Sequence, residues 1–271
     1  MASALVLAGG GVTGIAWETG VLHGLAENGH DIAARADLIV GTSAGSTVGA
    51  QIALGGDIND LYAAQLSDEH NEISPRIDVP LLTRIFGMMK DGGTDSDAER
   101  AAIGELALGA ATVSWDVRRR VIEGRLGTDE WPARELIVTA INAESGEFRT
   151  WTKNDGVGLI DAVGSSCAVP GVWPCVPLNG SLWYDGGLRN SANAFLAAGH
   201  DRVTILAPLT GGASTAVERE IAALRSAGAT VHFVCADADA VEAMGPNSLD
   251  PRYRKVAAEH GRRQGLALRL D

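Results

Sequence analysis

The chain has 271 residues, 46% of them hydrophobic, which is enough to bury a substantial core. Its 22 Lys and Arg residues against 34 Asp and Glu residues leave a formal net charge of −12, which argues against nucleic acid as a partner. Three cysteines without a CxxC pair indicate neither a disulfide framework nor a metal site. The lack of a signal-peptide or membrane-span pattern predicts a cytoplasmic protein, and no cofactor is expected.

Short β-rich runs alternate with helical patterns along the first part of the chain. Strands are predicted at residues 3–8 and 36–41, and a helix with one apolar face is predicted at residues 15–28. A small-residue helix is expected after the second strand. This alternation is typical of parallel strands joined by crossover helices, so it predicts an α/β fold.

The middle of the chain changes character. Residues 57–131 read as helices, and we interpret them as an insertion in a single domain that spans residues 1–271. Strand signals return in "ELIVTAIN" and "EFRTWT", which "AESG" joins as a hairpin turn, and then in "SLWY", "DRVTILAP" and "TVHFVCAD". Helices are predicted at residues 215–226 and at the C-terminal end.

A glycine-rich loop follows the first predicted strand and opens the first helix. Its glycines are Gly9, Gly10, Gly11 and Gly14. Backbone N–H groups at a helix start suit an anion, or an oxygen that becomes one. The loop fits a dinucleotide site with Asp31 or Asp37 on the ribose, an oxyanion hole built from Gly10 and Gly11, or a turn without a ligand. The motif alone does not choose among these three.

The second strand ends in a GxSxG motif formed by Gly41, Ser43 and Gly45. At a strand-to-helix junction this motif is typical of a nucleophile elbow, which exposes the serine hydroxyl. The alternative is a serine N-cap with glycines that serve close helix packing. A dinucleotide site has no use for such a turn, whereas an acyl hydrolase needs both loops, so Ser43 favours the oxyanion hole.

A serine nucleophile needs a base, and Asp185 in "SLWYDGGLRN" is the better candidate. Gly186 and Gly187 follow it at a strand end, where desolvation would raise the proton affinity of its carboxylate. The alternative is an Asx-turn residue. None of the histidines has a clear loop signature, and surface or packing roles are expected for all six: His23, His30, His70, His200, His232 and His260.

The motifs "GGGVTG", "GTSAG" and "DGG", in this order, resemble the patatin-like phospholipases, including bacterial members similar to lysophospholipid hydrolases. The resemblance implies a three-layer α/β/α sandwich with a mainly parallel sheet. It also implies a Ser43–Asp185 dyad without histidine, and an oxyanion hole at Gly9, Gly10 and Gly11. The expected partner is a lipid-like ester, with room for transient contact with a membrane surface; the oligomeric state is not predicted.

Further segments bear on this resemblance. "SSCAVPGVWP" matches a small-residue segment of the family, and Asn190 and Asn193 stand where the family often has asparagine. Thr13 departs from the family, which commonly has Arg or Lys there, and Ala194 stands where proline is frequent. Thr13 therefore puts a preference for phospholipids in doubt, but not ester hydrolysis.

Two segments bear on the substrate. Apolar residues at helical spacing in "VPLLTRIFGMMK" fit an acyl channel or the packing of the inserted helices, and packing is favoured. They are Leu81, Leu82, Ile85, Phe86 and Met89. The basic run at residues 118–120 fits a phosphate headgroup or a solvated helix face, and the solvated face is favoured.

Overall fold

The computed structural model describes residues 1–69, 71–208 and 214–270. In this part of the chain the strands are β1 (Ser3–Leu7), β2 (Leu38–Gly41), β3 (Glu135–Asn142), β4 (Phe148–Trp151), β5 (Val176–Leu178), β6 (Ser181–Asp185), β7 (Arg202–Ala207) and β8 (Thr230–Cys235). The helices are α1 (Gly11–Glu27), α2 (Ile32–Arg35), α3 (Ala44–Ala53), α4 (Ile58–Leu66), α5 (Val79–Gly87), α6 (Asp97–Leu108), α7 (Trp115–Leu126), α8 (Leu159–Ser166), α9 (Thr215–Ser226), α10 (Ala238–Ala243) and α11 (Arg254–Ala267).

The strands form one mixed sheet whose central part is parallel. β3, β2, β1, β7 and β8 lie side by side in this order, and every neighbouring pair among them is parallel. β4 and β6 pair antiparallel with β3, and β5 pairs antiparallel with β6. The predicted β3–β4 hairpin is therefore confirmed.

Both faces of the sheet are covered, because successive side chains of a strand point to opposite sides. Leu5 and Leu7 of β1 belong to a core shared with α1, α3 and α11. Ala4 and Val6 of the same strand belong to a second core, which contains Val217 of α9. This arrangement confirms the predicted three-layer α/β/α sandwich with a mainly parallel sheet.

Helix α1 differs from its sequence prediction in length and in burial. It begins at Gly11, four residues before the predicted start, and every residue from Val12 to Leu25 is buried. The expected single apolar face is wrong because α3, α4 and α11 pack around the helix. The small residues in its sequence allow this close packing: a Cβ at Gly20 would overlap the backbone of Ala258 in α11.

The predicted helical insertion contains α4, α5, α6 and α7. Ser96 and Glu99 form a capping box at the start of α6, as their spacing indicates. The division of residues 1–271 into one domain with an insertion stays a prediction. Among the described residues, no helix is both long enough and apolar enough to cross a bilayer.

The register of β3 shows why two distant segments meet. Val138 pairs with Gly41 of β2 and with Trp151 of β4, so β2 and β4 lie on opposite edges of β3. Ala140 pairs with Arg149 of β4 and Asp185 of β6, so β4 and β6 also lie on opposite edges. Strands β2 and β6 therefore share one edge of β3 and lie end to end. Because they run in opposite directions, their C-terminal ends face each other.

Candidate active site

Ser43 lies in a strained turn between β2 and α3. Its backbone angles are φ 53° and ψ −118°, in a region that L-residues rarely adopt and that costs about 1–3 kcal/mol. A Cβ at Gly41 would lie 2.5 Å from the Cα of Ser46, and one at Gly45 would overlap the carbonyl of Leu7. Ser43 occupies the N-cap position of α3, but its side chain makes no capping hydrogen bond to the helix.

The backbone of this turn is hydrogen-bonded to Ser166, the last residue of α8, and to Cys167, which follows the helix. The Ser43 amide donates to Ser166 Oγ at 2.9 Å, and Cys167 Sγ donates to the Ser43 carbonyl at 3.1 Å. Ser46 Oγ donates to the same carbonyl at 2.7 Å. Ser166 and Cys167 belong to "SSCAVPGVWP", whose role the sequence did not indicate. These hydrogen bonds satisfy the backbone polar groups of Ser43 and hold the turn in place.

Asp185 ends β6, and its carboxylate lies beside the Ser43 hydroxyl, which lowers the pKa of Asp185. The carboxylate accepts a hydrogen bond from the Gly187 amide at 2.8 Å, so the Asx-turn alternative is correct for the local backbone as well. The residue is only 3% exposed. Burial raises the pKa of Asp185 to about 7, although the hydrogen bonds from Ser43 and Gly187 oppose the rise.

A buried polar network ties the Ser43 turn to the Asp185 turn. Asn193 Nδ2 donates to Thr42 Oγ1 at 3.1 Å and contacts the Gly186 carbonyl at 3.3 Å. Thr42 Oγ1 lies 2.9 Å from Thr139 Oγ1 of β3. A Cβ at Gly186 would overlap the Thr139 side chain. Sequence reasoning missed Thr42 and Thr139, because a threonine at a strand end carries no signal of its own.

The glycine loop lies against the same cavity as Ser43. The Gly9 amide donates to the Ser191 carbonyl at 2.9 Å and is therefore engaged. The Gly10 and Gly11 amides make no hydrogen bond to the described residues and lie at the N-terminus of α1, where the helix dipole is positive. Gly14 is in the first turn of α1, with its amide bonded to the Gly10 carbonyl at 2.9 Å.

Thr13 is fully buried beside the glycine loop. Its amide donates to the Ser248 carbonyl at 3.0 Å, and its hydroxyl lies 3.3 Å from the same oxygen. Thr13 therefore fastens the segment before α11 over the loop. Gly11 is part of this contact, because a Cβ there would lie 2.7 Å from the Ser248 carbonyl oxygen.

A cavity of about 600 Å³ contains Ser43, Asp185 and the glycine loop in its wall. This volume is in the range of small-molecule sites. Most of the remaining wall is apolar, with Leu82 and Phe86 of α5 and Met89 beyond it. The cavity therefore suits an apolar ligand whose polar group reaches Ser43.

Helix α5 serves both of the roles that the sequence left open. Leu81 and Ile85 pack inward, and their side chains would lie 3.1 and 3.3 Å from a Cβ at Gly171. Leu82 and Phe86 face the cavity instead, and Phe86 is 50% exposed. The favoured packing interpretation is therefore correct for one face of α5 only.

The prediction that residues 118–120 form a solvated helix face is wrong for Arg118, which is buried. Arg118 is 4% exposed, with its guanidinium 3.9 Å from the Trp173 ring. Arg119 bonds Asp161 at 2.9 Å and Asp129 at 3.0 Å, whereas Arg120 is exposed. Three consecutive arginines look alike in the sequence, but consecutive residues of a helix such as α7 point in different directions, so their burial differs.

None of the described histidines lines the cavity of Ser43. His23 stacks on Tyr62 with ring centroids 4.2 Å apart, and His200 contacts the Ala197 carbonyl. His70 lies outside the described residues. In the described part of the chain, no group of three or more His, Cys, Asp or Glu side chains could hold a metal ion.

The acids required by a dinucleotide site lie away from the glycine loop. Asp37 precedes β2 and accepts from the Ser3 amide at 2.7 Å, at the N-terminal ends of β1 and β2. Asp31 caps α2 and lines a different pocket, together with Ser3. The glycine loop follows the C-terminal end of β1, so neither acid could reach a ribose bound there.

A model of the patatin-like phospholipase family matches residues 5–198. The chain therefore belongs to the patatin-like phospholipase family, a family of lipid acyl hydrolases.

Solved structures resemble this chain at low sequence identity. VipD from Legionella pneumophila has 14% identity and a TM-score of 0.50, with 97% of this chain and 66% of VipD covered. The type III effector ExoU has 15% identity and a TM-score of 0.39, with 98% of this chain and 54% of the ExoU chain covered. A structure of ExoU of Pseudomonas aeruginosa in complex with SpcU has 15% identity and a TM-score of 0.37, with 97% of this chain and 52% of the other chain covered. The VipD likeness concerns the fold alone, and no curated protein matches this chain.

Proposed function

We propose that this protein is a serine lipid acyl hydrolase, similar to phospholipases A and lysophospholipases, with Ser43 as nucleophile and Asp185 as base. The observation that carries the proposal is that Ser43, the buried carboxylate of Asp185 and the glycine loop line one cavity. The strain at Ser43 supports it, because strained backbone of this kind is concentrated at functional sites.

In the first half of the reaction, Ser43 Oγ attacks the ester carbonyl carbon while Asp185 takes the hydroxyl proton. The carbonyl oxygen becomes an oxyanion that accepts hydrogen bonds from the Gly10 and Gly11 amides. Asp185 then returns the proton to the leaving alcohol, and the acyl group stays on Ser43. In the second half, Asp185 deprotonates a water that attacks the carbonyl carbon of the acyl ester. As the bond from this carbon to Ser43 Oγ breaks, Asp185 gives the proton to Oγ, and the fatty acid leaves.

The proton affinity of Asp185 suits this role. A carboxylate with an ordinary pKa is a weak base, whereas efficient general bases have a pKa near the working pH. Burial brings the pKa of Asp185 to about 7, so it is mostly ionised at pH 8 and still binds a proton well. A histidine is therefore not needed to activate Ser43.

The cavity supports a lipid-like substrate. Its apolar wall can hold an acyl chain, and exposed Val79 and Phe86 on α5 would meet an aggregated or membrane-bound lipid. Three glycines at one side leave the backbone accessible to the ester.

Turnover of a lysophospholipid and of a short-chain ester by matched variants tests the proposal. Ser43→Ala should abolish both activities without loss of folding, whereas Ser191→Ala, a serine in the same cavity wall, should keep them. Unchanged turnover in Ser43→Ala would remove Ser43 as nucleophile. A well-folded wild-type protein that turns over neither ester would favour a lipid-binding module of the same fold.

A further inference from the structure

The guanidinium of Arg189 makes two hydrogen bonds and two aromatic contacts. Its Nη1 atom donates to Asn193 Oδ1 at 2.8 Å and to Glu220 Oε1 of α9 at 3.1 Å. The same group lies 4.2 Å from the centroid of the Phe195 ring and 5.0 Å from that of Phe148. These contacts fix the end of a long side chain that would otherwise move freely. Arg189 is not among the residues that line the apolar cavity.

The contact with Arg189 decides which way the amide group of Asn193 points. An arginine side chain has donors only, so the end of the amide that faces it must be the oxygen. The nitrogen end then faces two acceptors, Thr42 Oγ1 at 3.1 Å and the Gly186 carbonyl at 3.3 Å. The reverse orientation would set the amide nitrogen against Arg189 and the amide oxygen against the Gly186 carbonyl. It is therefore disfavoured as long as Arg189 is in place.

No other contact of Asn193 fixes this orientation so firmly. The residue is fully buried, and its backbone is left-handed, with φ 50° and ψ 39°. Among the described residues, its side chain bonds Arg189, Thr42 and Gly186 alone. A buried polar atom that loses its partner keeps the cost of desolvation. Removal of the guanidinium would therefore leave the amide oxygen unsatisfied and allow the amide to turn.

Asn193 connects the two turns of the proposed dyad. Thr42 is the residue before Ser43, and its hydroxyl accepts from the amide. Gly186 is the residue after Asp185, and its carbonyl contacts the same amide nitrogen. The Ser43 turn has a strained backbone, which persists only when the surrounding contacts hold it. A change in the amide therefore reaches both reacting side chains.

We infer that Arg189 is a positioning residue of this enzyme: it orients the Asn193 amide, and the amide holds the two reacting side chains together. This inference rests on the proposed function. The guanidinium stays ionised at any working pH, so the orientation does not change when Asp185 titrates. The carboxylate of Glu220 balances the charge of Arg189 beside the buried network.

Kinetics on a short-chain ester test this role. Arg189→Met keeps an unbranched apolar side chain beside the two rings but has no donor. It should lower kcat by roughly 10- to 100-fold, the value of a hydrogen bond to a charged group. KM should change by less than about 3-fold, because Arg189 does not line the cavity. Arg189→Lys, which keeps a charged donor, should lose less than Arg189→Met.

Arg219→Met is the matched control. It removes the same charge from an exposed position of α9, where the guanidinium lies 3.9 Å from Asp95, and should change neither kcat nor KM. A rise in KM with unchanged kcat in Arg189→Met, or an equal loss of kcat in Arg219→Met, would overturn the inference.

A double-mutant cycle shows whether Arg189 acts through Asn193. Asn193→Gly removes the amide and suits the left-handed backbone. The kcat of Arg189→Met/Asn193→Gly should then equal that of Asn193→Gly within about 2-fold. Asn193→Asp still accepts from Arg189 but cannot donate to Thr42 or Gly186, so its kcat should fall as in Asn193→Gly. Losses that multiply in the double variant, or wild-type kcat in Asn193→Asp, would contradict the proposed role.

Arg189→Met leaves the Glu220 carboxylate without its ion pair, which can prevent folding. In that case Arg189→Met/Glu220→Gln, which also removes the remaining charge, replaces it in both experiments. Glu220→Gln alone is then the reference, and the same fold-changes are expected relative to it.

The two proposals fail separately. If wild-type protein hydrolyses no ester, the cycle is measured on urea midpoints, where Arg189→Met and Asn193→Gly together should cost less than the sum of their separate effects. The contact then stands and the hydrolase proposal fails, whereas additive midpoints would remove the contact too. If wild-type protein hydrolyses the ester and the kcat losses multiply, the hydrolase proposal stands and the positioning role fails.

Discussion

Replacing Asp185 by Asn should stabilise the protein at alkaline pH while it abolishes ester hydrolysis. The pKa of Asp185 is raised from an ordinary value of 3.8 to about 7, so between these values the folded state holds a proton that the unfolded state has lost. The free energy of unfolding therefore falls as pH rises, by about 1.4 kcal/mol per pH unit. From pH 5 to pH 8 this amounts to about 2–3 kcal/mol, most of which is lost by pH 7.

Urea unfolding of both proteins at pH 5, 6, 7 and 8 measures this effect. The free energy of unfolding of Asp185→Asn minus that of the wild type should rise by about 2–3 kcal/mol from pH 5 to pH 8, since all other titrations cancel in the difference. Asp57→Asn is the control: Asp57 caps α4 from an exposed position and its pKa is lowered, so its difference should be flat in this range. A flat difference for Asp185→Asn would refute a buried carboxyl with a raised pKa.

Three further predictions concern activity and folding. The kcat/KM of the wild type should rise with pH around an apparent pKa of about 7, and a profile without an inflection between pH 6 and 8 would argue against Asp185 as base. Gly45→Ala should lower the free energy of unfolding, measured with urea, by about 2–3 kcal/mol, because the new Cβ would overlap the Leu7 carbonyl of β1. Gly109→Ala is the control and should leave the free energy of unfolding nearly unchanged, because its Cβ would make only an ordinary contact at 3.6 Å. Phe86→Ser should raise KM for long-chain but not short-chain esters, and Val256→Ser, an exposed apolar residue of α11, should leave both unchanged; equal effects would remove Phe86 from the substrate path.

The layers of the fold followed from local patterns, because buried parallel strands and crossover helices have distinct periodicities. The predicted helix at residues 215–226 matches α9 in both bounds. Strand β5 was missed although Asn179 and Gly180, both with positive φ, form the turn into β6. Three residues of strand that include a proline carry too little pattern to be recognised.

The proximity of Ser43 and Asp185 could be predicted from the sequence only because the three motifs occur in the order that is typical of the family. The sequence places Asp185 at the end of a strand, and in the structure this strand, β6, runs antiparallel to β3 and approaches β2 head-on. This geometry depends on which edge of β3 each strand occupies, and no local pattern encodes that choice. Arg118 was misread for a similar reason, because its burial is set by Trp173, 55 residues further along the chain.

The central claim is that a buried carboxylate activates Ser43, and labelling with a fluorophosphonate tests it most directly. At pH 8 the wild type should form one adduct, which peptide mass spectrometry locates at Ser43, and folded Asp185→Asn protein should react far more slowly. Labelling of Ser43 at equal rates in both proteins, or an adduct at another serine, would contradict the account.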